Sequence, residues 1–238
     1  MISLDFEASG CDPERNFPVA AGVAIFQEGK ITTEKFLFPV PSFPRNFDAF
    51  KNQPGWEQRC VDEFWSKLSS EVLNGLRHPD SVDQWVPLEG IAEIDHLNQA
   101  MNKLNKSIMD FAAWLRKTIN EMSEEPTLIT DNGVYDWPML NYYIHKFGVK
   151  EEGQVVARPL SYSTKYGYLS TRDVGDLLRS FDKKRVKQVL EEEYQSANTH
   201  LPDEDAKHMI HKYLVWESLK EGVDQDAVFN ARKRKNTK

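Results

Sequence analysis

The sequence predicts an α/β protein with a mixed, five-stranded sheet flanked by helices. Three observations lead to this prediction. Strand-like segments fill the first 40 residues, a long helical periodicity follows in the middle of the chain, and short apolar segments then alternate with helical ones. The 238 residues, of which 40% are hydrophobic, are enough for one large domain with a buried core.

The first three predicted strands form an antiparallel meander. In ISLDF the apolar and polar residues alternate, which is the two-residue period of a strand. Residues 17–26 and 31–40 are the second and third strands, because they are rich in apolar, β-branched and aromatic residues. The segment Glu28-Gly29-Lys30 between them predicts a hairpin turn.

The next region, about 41–95, has no sustained period. Prolines interrupt it repeatedly, and a short helix around 60–76 is the only regular element expected there. We interpret it as an elaborate connection that could face a substrate.

The rest of the chain alternates between helices and strands. The helix at 97–122 is the clearest, because its apolar residues recur at spacings of three and four. The later predicted elements are a strand at 127–130, a helix at 137–147 with Pro138 in its first turn, a strand at 168–174, helices at 183–194 and about 203–221, and a polar, basic tail at 223–238.

Composition excludes several classes of protein. A net charge of −7 argues against a protein that coats nucleic acid by bulk electrostatics. The two cysteines, Cys11 and Cys60, form no CxxC pair, so a disulfide scaffold or cysteine-rich zinc site is not expected. No apolar run approaches the ~20 residues of a membrane span, and the N-terminus lacks the layout of a signal peptide. We therefore expect a cytoplasmic protein with no membrane partner.

Two carboxylates lie on one face of the first strand. Asp5 and Glu7 are two residues apart, so they point the same way. Their repulsion would raise the pKa of each unless a cation lies between them. A solvated edge strand with a polar face is the alternative. Gly10, soon after the strand, favours the functional interpretation because it permits a ligand to approach the backbone.

Further acids lie at the starts of two helices. Asp136 follows the strand at 127–130 and should face the core, as a helix cap or as a ligand. Asp205 lies at the edge of the apolar stripe of the last long helix, and Asp203 is a natural cap for it. His200 lies in the preceding loop, where a histidine is most often an ordinary surface residue.

A pair of histidines lies on the last long helix. His208 and His211 are three residues apart and could bind a metal. An exposed helix face is the better explanation, because no carboxylate has a matching spacing beside them.

The order of these residues along the chain resembles the DEDDh branch of the DnaQ-like 3′–5′ exonucleases. The matching motifs are LDFEASG with Asp5 and Glu7, NGVYDWPML with Asp136, and HLPDEDA with His200 and Asp205. The resemblance spans residues 2–220 and implies an RNase H-like fold for an exonuclease domain at 1–222. The long connection is similar to that of the phage-type exonuclease A and mycobacterial-type exoribonuclease group.

Three positions depart from the family pattern. Ala8 follows Glu7 where the family often has threonine, Tyr135 precedes the second aspartate in place of phenylalanine, and Pro202 replaces a small residue. None of these removes an acid or the histidine.

The resemblance also implies a mechanism. Asp5, Glu7, Asp136 and Asp205 would bind two divalent cations, Mg²⁺ or Mn²⁺, and His200 would be the general base. The substrate would be the 3′ end of single-stranded DNA or RNA, and the products nucleoside 5′-monophosphates. Some members are homodimers, so a homodimer is also compatible with the resemblance.

Substrate contacts are expected beside the acids. The candidates are the backbone around Phe6 and Ala8, together with Ser9, Asn132, Tyr135 and Trp137. Phe6 and Trp137 are equally well explained as core residues. Trp56 and Trp65 could form a platform for bases, and the basic run 183–187 could follow the phosphate backbone, although a solvated helix face explains that run better.

Three rival functions fit the same residues. The first is a catalytically weak domain that only binds nucleic acid. The second is a metal phosphohydrolase that acts on free nucleotides. The third is a subunit of a replication, repair or RNA-processing complex.

Overall fold

A computed structural model gives the fold of the chain. It describes residues 1–43, 55–81, 91–131, 133, 135–151, 154–194 and 200–220. The 223–238 tail, and parts of the predicted 41–95 connection, lie outside the described residues.

A five-stranded mixed sheet forms the centre of the molecule, in the order β3-β2-β1-β4-β9. Its strands are β1 (Ile2–Ala8), β2 (Pro18–Gln27), β3 (Lys30–Leu37), β4 (Leu128–Thr130) and β9 (Thr171–Asp173). Strand β2 is antiparallel to β1 and β3, while β4 is parallel to both β1 and β9. This confirms the predicted α/β fold with a mixed, five-stranded sheet flanked by helices.

Helices flank the sheet, and two small hairpins are attached to it. The helices are α1 (Gln58–Glu63), α2 (Ser70–Leu76), α3 (Ile91–Glu121), α4 (Asp136–Phe147), α5 (Val174–Leu178), α6 (Lys183–Tyr194) and α7 (Pro202–Lys220), with a 3₁₀ turn at Trp65–Lys67. The hairpins are β5 (Val149–Glu151) with β6 (Gln154–Val156), and β7 (Tyr162–Ser163) with β8 (Gly167–Tyr168).

The predicted hairpin turn lies where the sequence places it. Glu28 and Gly29 both have positive φ angles, 52° and 74°, which a two-residue type I′ turn requires. The third strand ends at Leu37, earlier than the predicted residue 40. Pro39 follows closely, and proline cannot donate a hydrogen bond to a neighbouring strand.

The two faces of β1 belong to different cores. Its apolar side chains pack into the larger core, which includes residues of α3 and α4. Asp5 and Glu7 alternate with them and therefore lie on the face that α7 covers. The Ser3 hydroxyl on this face donates to the Ala206 carbonyl of α7. The alternation of the sequence thus separates packing residues from polar ones.

Gly22 allows α7 to approach the sheet closely. It lies opposite Asp5 in the β1–β2 register, and a Cβ atom there would collide with the backbone of Pro202 and Asp203. Any larger residue would therefore push the start of α7 away from β1. This close contact brings Asp205, in the first turn of α7, towards Asp5.

Several predicted boundaries are wrong in detail. The helix expected at 60–76 is divided into α1, the 3₁₀ turn and α2. Helix α3 begins at Ile91 rather than 97, and the strand expected at 168–174 is only Thr171–Asp173. Val174 instead begins α5, because the Asp173 side chain accepts a hydrogen bond from the backbone N–H of Asp176 and caps the helix.

The connection supplies core residues rather than a platform for bases. Trp56 and Trp65 are 7% and 0% exposed, and their rings pack edge to face with centroids 5.1 Å apart. The Trp65 indole N–H donates to the Ala8 carbonyl at the end of β1, at 3.0 Å. The expectation that these rings stack on bases is therefore wrong, because both are buried in the larger core.

None of the helices in the described part of the chain is long and apolar enough to cross a membrane.

Candidate active site

Carboxylates from distant parts of the chain converge at the end of β1. Potential ligand oxygens of Asp5, Glu7 and Asp205 lie within 4.8 Å of one another. Those of Asp5, Asp131 and Asp136 also lie within this distance, so Asp5 belongs to both groups. We call these five residues the acid cluster. It contains all four acids that the sequence singles out, together with one that it does not.

Asp136 is held in place from two sides. Its Oδ1 accepts a hydrogen bond from the Phe6 backbone N–H at 3.2 Å, and its Oδ2 accepts one from the Thr130 hydroxyl at 2.8 Å. The side chain is only 2% exposed, and burial raises its pKa to about 7 despite these two bonds. Helix α4 begins at Asp136 itself, with Tyr135 in the N-cap position, so the N-cap alternative is wrong.

The other acids of the cluster repel one another. Burial, followed by the charge of Glu7, raises the pKa of Asp5 well above its usual value. Burial and the charge of Asp205 do the same for Glu7. The pKa of Asp205 is raised as well, mainly by burial. Without a cation, the charged forms of these carboxylates are therefore unfavourable.

Asp131 is the acid that sequence reasoning missed. It directly follows β4, and the parallel register pairs Ser3 with Ile129, so Asp131 lies level with Asp5. Its Oδ2 accepts a charge-assisted hydrogen bond from the Lys212 ammonium of α7 at 3.0 Å. The available signal was a polar segment, Asp-Asn-Gly, immediately after a buried strand.

His200 lies beside the cluster, just before α7. Its charge lowers the pKa of Asp205, partly offsetting the effect of burial. The side chain is exposed, and its ring meets the Phe64 ring edge to face, with centroids 5.6 Å apart. Its φ of 50° is uncommon for a residue other than glycine. Through Phe64, the connection packs against His200, the predicted general base.

Helix α7 begins one residue earlier than expected. Because Pro202 is its first residue, Asp203 lies inside the first turn and is not the cap. Three acids, Asp203, Glu204 and Asp205, occupy that turn, where the helix dipole favours negative charge.

Most of the predicted substrate contacts are buried. Phe6 stacks on Phe38 at 6.2 Å, so its side chain belongs to the core. Ser9 is 0% exposed, and its hydroxyl donates to the Gly55 carbonyl and accepts from the Phe17 N–H. These contacts hold the end of β1 against the connection, while the expected contact of the substrate with the backbone around Phe6 and Ala8 stays a prediction.

The other candidates differ in their exposure. Ala8 and Trp137 are each 5% exposed, so the packing alternative holds for Trp137. Tyr135 is half-buried and donates its hydroxyl proton to the Gly10 carbonyl at 3.1 Å. Asn132 lies outside the described residues.

The pair His208 and His211 packs within the fold. His211 is 8% exposed, and burial, followed by the charge of Lys207, lowers its pKa to about 4. His208 is half-buried, so an exposed helix face does not explain the pair. Among the described residues, the groupings of acids, histidines and cysteines that could hold a metal ion do not include either histidine.

The acid cluster fits a hard divalent cation. Its donors are carboxylate oxygens alone, which suits Mg²⁺ or Mn²⁺ better than zinc. The two groups of three acids overlap at Asp5. A bound cation would also offset the repulsion that raises the pKa of Asp5 and Glu7.

Comparison with known proteins gives little beyond the fold. No protein-family model and no curated protein matches the chain. Among solved structures, the metal-free form of the E. coli ExoI–ssDNA complex matches with a TM-score of 0.42 and 13% sequence identity. The match covers 97% of this chain and 41% of the ExoI chain.

Proposed function

We propose that the protein is a metal-dependent 3′–5′ exonuclease that releases nucleoside 5′-monophosphates from single-stranded DNA or RNA. The observation that supports this most strongly is the convergence of Asp5, Glu7, Asp136 and Asp205 from three separate parts of the chain, with His200 alongside. A purely structural protein gains nothing from burying several carboxylates that repel one another.

The acid cluster would hold two divalent cations. When bound, such a pair can stabilise both the attacking and the leaving oxygen of an in-line phosphoryl displacement. Asp136 is the most rigid of the ligands, because the Phe6 N–H and the Thr130 hydroxyl fix both of its oxygens. Asp5 and Glu7 are fixed by the strand that carries them, and Asp205 by the close contact of α7 with Gly22.

His200 would accept a proton from the attacking water. An imidazole suits this step because its unperturbed pKa is close to neutral pH. Its side chain is exposed, in contact with the Phe64 ring and near Asp205, so it is open to solvent and substrate. Asp205 would then both bind a cation and lie beside the general base.

The test is a gel time course with 5′-labelled single strands of DNA and RNA of the same sequence. Each would be incubated with Mg²⁺, Mn²⁺ or EDTA. We expect a metal-dependent ladder that shortens from the 3′ end, with none in EDTA. A free nucleotide cleaved faster than either strand would instead indicate a nucleotide phosphohydrolase, and no product with any metal would contradict the proposal.

Two histidine variants test the general base. His200→Ala should slow hydrolysis by ~10²–10⁴-fold, which is the usual contribution of a general base. His145→Ala is the matched control, because His145 is also exposed but lies in the last turn of α4, far along the helix from Asp136. Equal rates for the two variants would remove His200 from the mechanism.

A further inference from the structure

A basic groove lies between α5, α6 and α7, next to the acid cluster. Its volume is about 450 Å³, and Arg179, Lys183 and Lys187 line it together with His208. Its floor is apolar, formed by Leu178, Val186 and Leu190. We call this the α6 groove. The predicted basic run 183–187 therefore contributes two of its lysines to a concave surface.

The α6 groove begins at the rim of the acid cluster. His208 lies one turn of α7 beyond Asp205, about 4.5 Å along the helix axis. Gly175, at the other side of the groove, is so close to the cluster that a Cβ atom on it would lie 3.6 Å from the Asp131 carbonyl. A strand whose 3′ end reaches the acids could thus continue directly into the groove.

The charge of the groove is opposite to that of the chain as a whole. The protein has a net charge of −7, whereas Glu191 is the one acid among the residues that line this groove in the described structure. The cations are distributed along the groove, since Lys183 and Lys187 are one turn of α6 apart. This distribution suits a chain of phosphates better than a single anion.

The cations of the groove are held only weakly by acids of the protein. Lys187 pairs with Glu191 at 3.5 Å, and Arg179 pairs with Asp176 at 2.8 Å. All four side chains are more than 60% exposed. Exposed ion pairs of this kind contribute little stability, so phosphate groups can compete for the cations.

We propose that the α6 groove binds phosphates of the single strand on the 5′ side of its 3′-terminal nucleotides. This inference rests on the proposed function. The apolar floor would lie against the sugars and bases, and Lys183, Lys187 and Arg179 would contact the phosphates. Such contacts would recruit a polyanion to an acidic protein and favour long strands over short ones.

The test compares hydrolysis of an oligothymidylate of ten nucleotides with that of the dinucleotide. For the double variant Lys183→Ala/Lys187→Ala, we expect KM for the decamer to rise about tenfold or more, since phosphate contacts dominate such affinities. The rise for the dinucleotide should be much smaller. The slope of log KM against log salt should fall by about 1.4, because each single-strand phosphate contact contributes about 0.7.

Lys106→Ala is the matched control. Lys106 also forms an exposed i,i+4 ion pair on a helix, with Asp110, and its side chain is 76% exposed, as is that of Lys187. It should not change KM for either substrate. A double variant that behaves like Lys106→Ala, or that loses as much affinity for the dinucleotide as for the decamer, would overturn the proposal.

An absence of exonuclease activity can be distinguished from an absence of binding in the α6 groove. If the protein hydrolyses nothing with any metal, the decamer can be labelled with fluorescein and its binding followed by anisotropy. Weaker binding by the double variant than by Lys106→Ala would then still support the α6 groove. Equal binding by the two variants would overturn it.

Discussion

The Lys212 ammonium lies 3.0 Å from Asp131 Oδ2 and links α7 to the end of β4 at the edge of the acid cluster. Both side chains are partly exposed, at 25% and 37%. Lys212 thus places a positive charge beside a carboxylate that also lies within reach of Asp5 and Asp136. A bound cation would compete with Lys212 for Asp131.

Removal of this lysine should strengthen cation binding. We expect Lys212→Met to raise the affinity for Mn²⁺ by about three- to tenfold, because a nearby positive charge and a competitor for Asp131 are both lost. Asp131→Asn should lower the affinity for Mn²⁺. Lys207→Met is the control, since Lys207 lies on the same helix and pairs with Glu204 at 3.6 Å. Equal affinities for the two lysine variants, measured by calorimetry, would exclude Asp131 from the cation site.

The pKa of Asp136 predicts how the stability of the metal-free protein depends on pH. Burial raises this pKa from 3.8 to about 7, so the folded state binds more protons than the unfolded state between these values. The contribution of Asp136 to stability is therefore present below about pH 4 and is lost as the pH rises through about 7.

The variant Asp136→Asn isolates this contribution. It should melt several degrees higher than the natural protein in EDTA at about pH 8, and the difference should shrink towards about pH 4. Mn²⁺ should stabilise the natural protein more than the variant. A melting difference that does not change with pH would contradict the raised pKa.

Gly22 should be essential for placing Asp205. In Gly22→Ala the new methyl group would collide with the backbone of Pro202 and Asp203, which should cost about 1–3 kcal/mol and weaken cation binding. Gly75→Ala is the control, because the nearest atom to its added Cβ, Leu201 Cδ2, is 3.9 Å away. This substitution within α2 should be neutral or stabilising. Thermal melts and Mn²⁺ titrations of both variants make the comparison.

Phe64 should act by positioning His200. Its ring contacts both His200 and Trp65, with centroid distances of 5.6 Å and 5.1 Å. Phe64→Leu should lower kcat roughly ten- to hundredfold, since small misplacements of a catalytic group have effects of this size. Cation affinity should not change.

The ring of Phe43 provides a matched comparison. It also meets Trp65 edge to face, at 6.0 Å, and it packs against Trp56 at 5.8 Å. Phe43→Leu should therefore destabilise the connection with a much smaller effect on kcat. A similar loss of kcat in both variants would mean that Phe64 acts only through stability.

Those parts of the site that depend on local sequence patterns could be predicted from the sequence. The alternation in β1 predicted that Asp5 and Glu7 share a face, and the helical period predicted that Asp136 faces inwards. Both placements are observed. Asp131 was not predicted, because its approach to Asp5 depends on the parallel register of β1 and β4, which joins residues 126 positions apart (129 − 3).

The aromatic residues show a second limit of sequence reasoning. The sequence predicts that Trp56 and Trp65 could form a platform for bases, yet they are 7% and 0% exposed. Which aromatic rings are buried depends on how the connection folds over the end of β1, where Trp65 bonds to Ala8. The β5–β6 hairpin was missed for another reason, since strands of three residues are too short to establish a period.

Calorimetric titration of Mn²⁺ into the metal-free protein, for the natural chain, Asp5→Asn and His200→Ala, tests the central claim most directly. A two-cation site predicts two binding events in the natural chain, a severe loss in Asp5→Asn because Asp5 belongs to both groups of acids, and near-normal binding in His200→Ala. No binding to the natural chain, or equal binding to the natural chain and Asp5→Asn, would contradict the assignment of the acid cluster as a metal site.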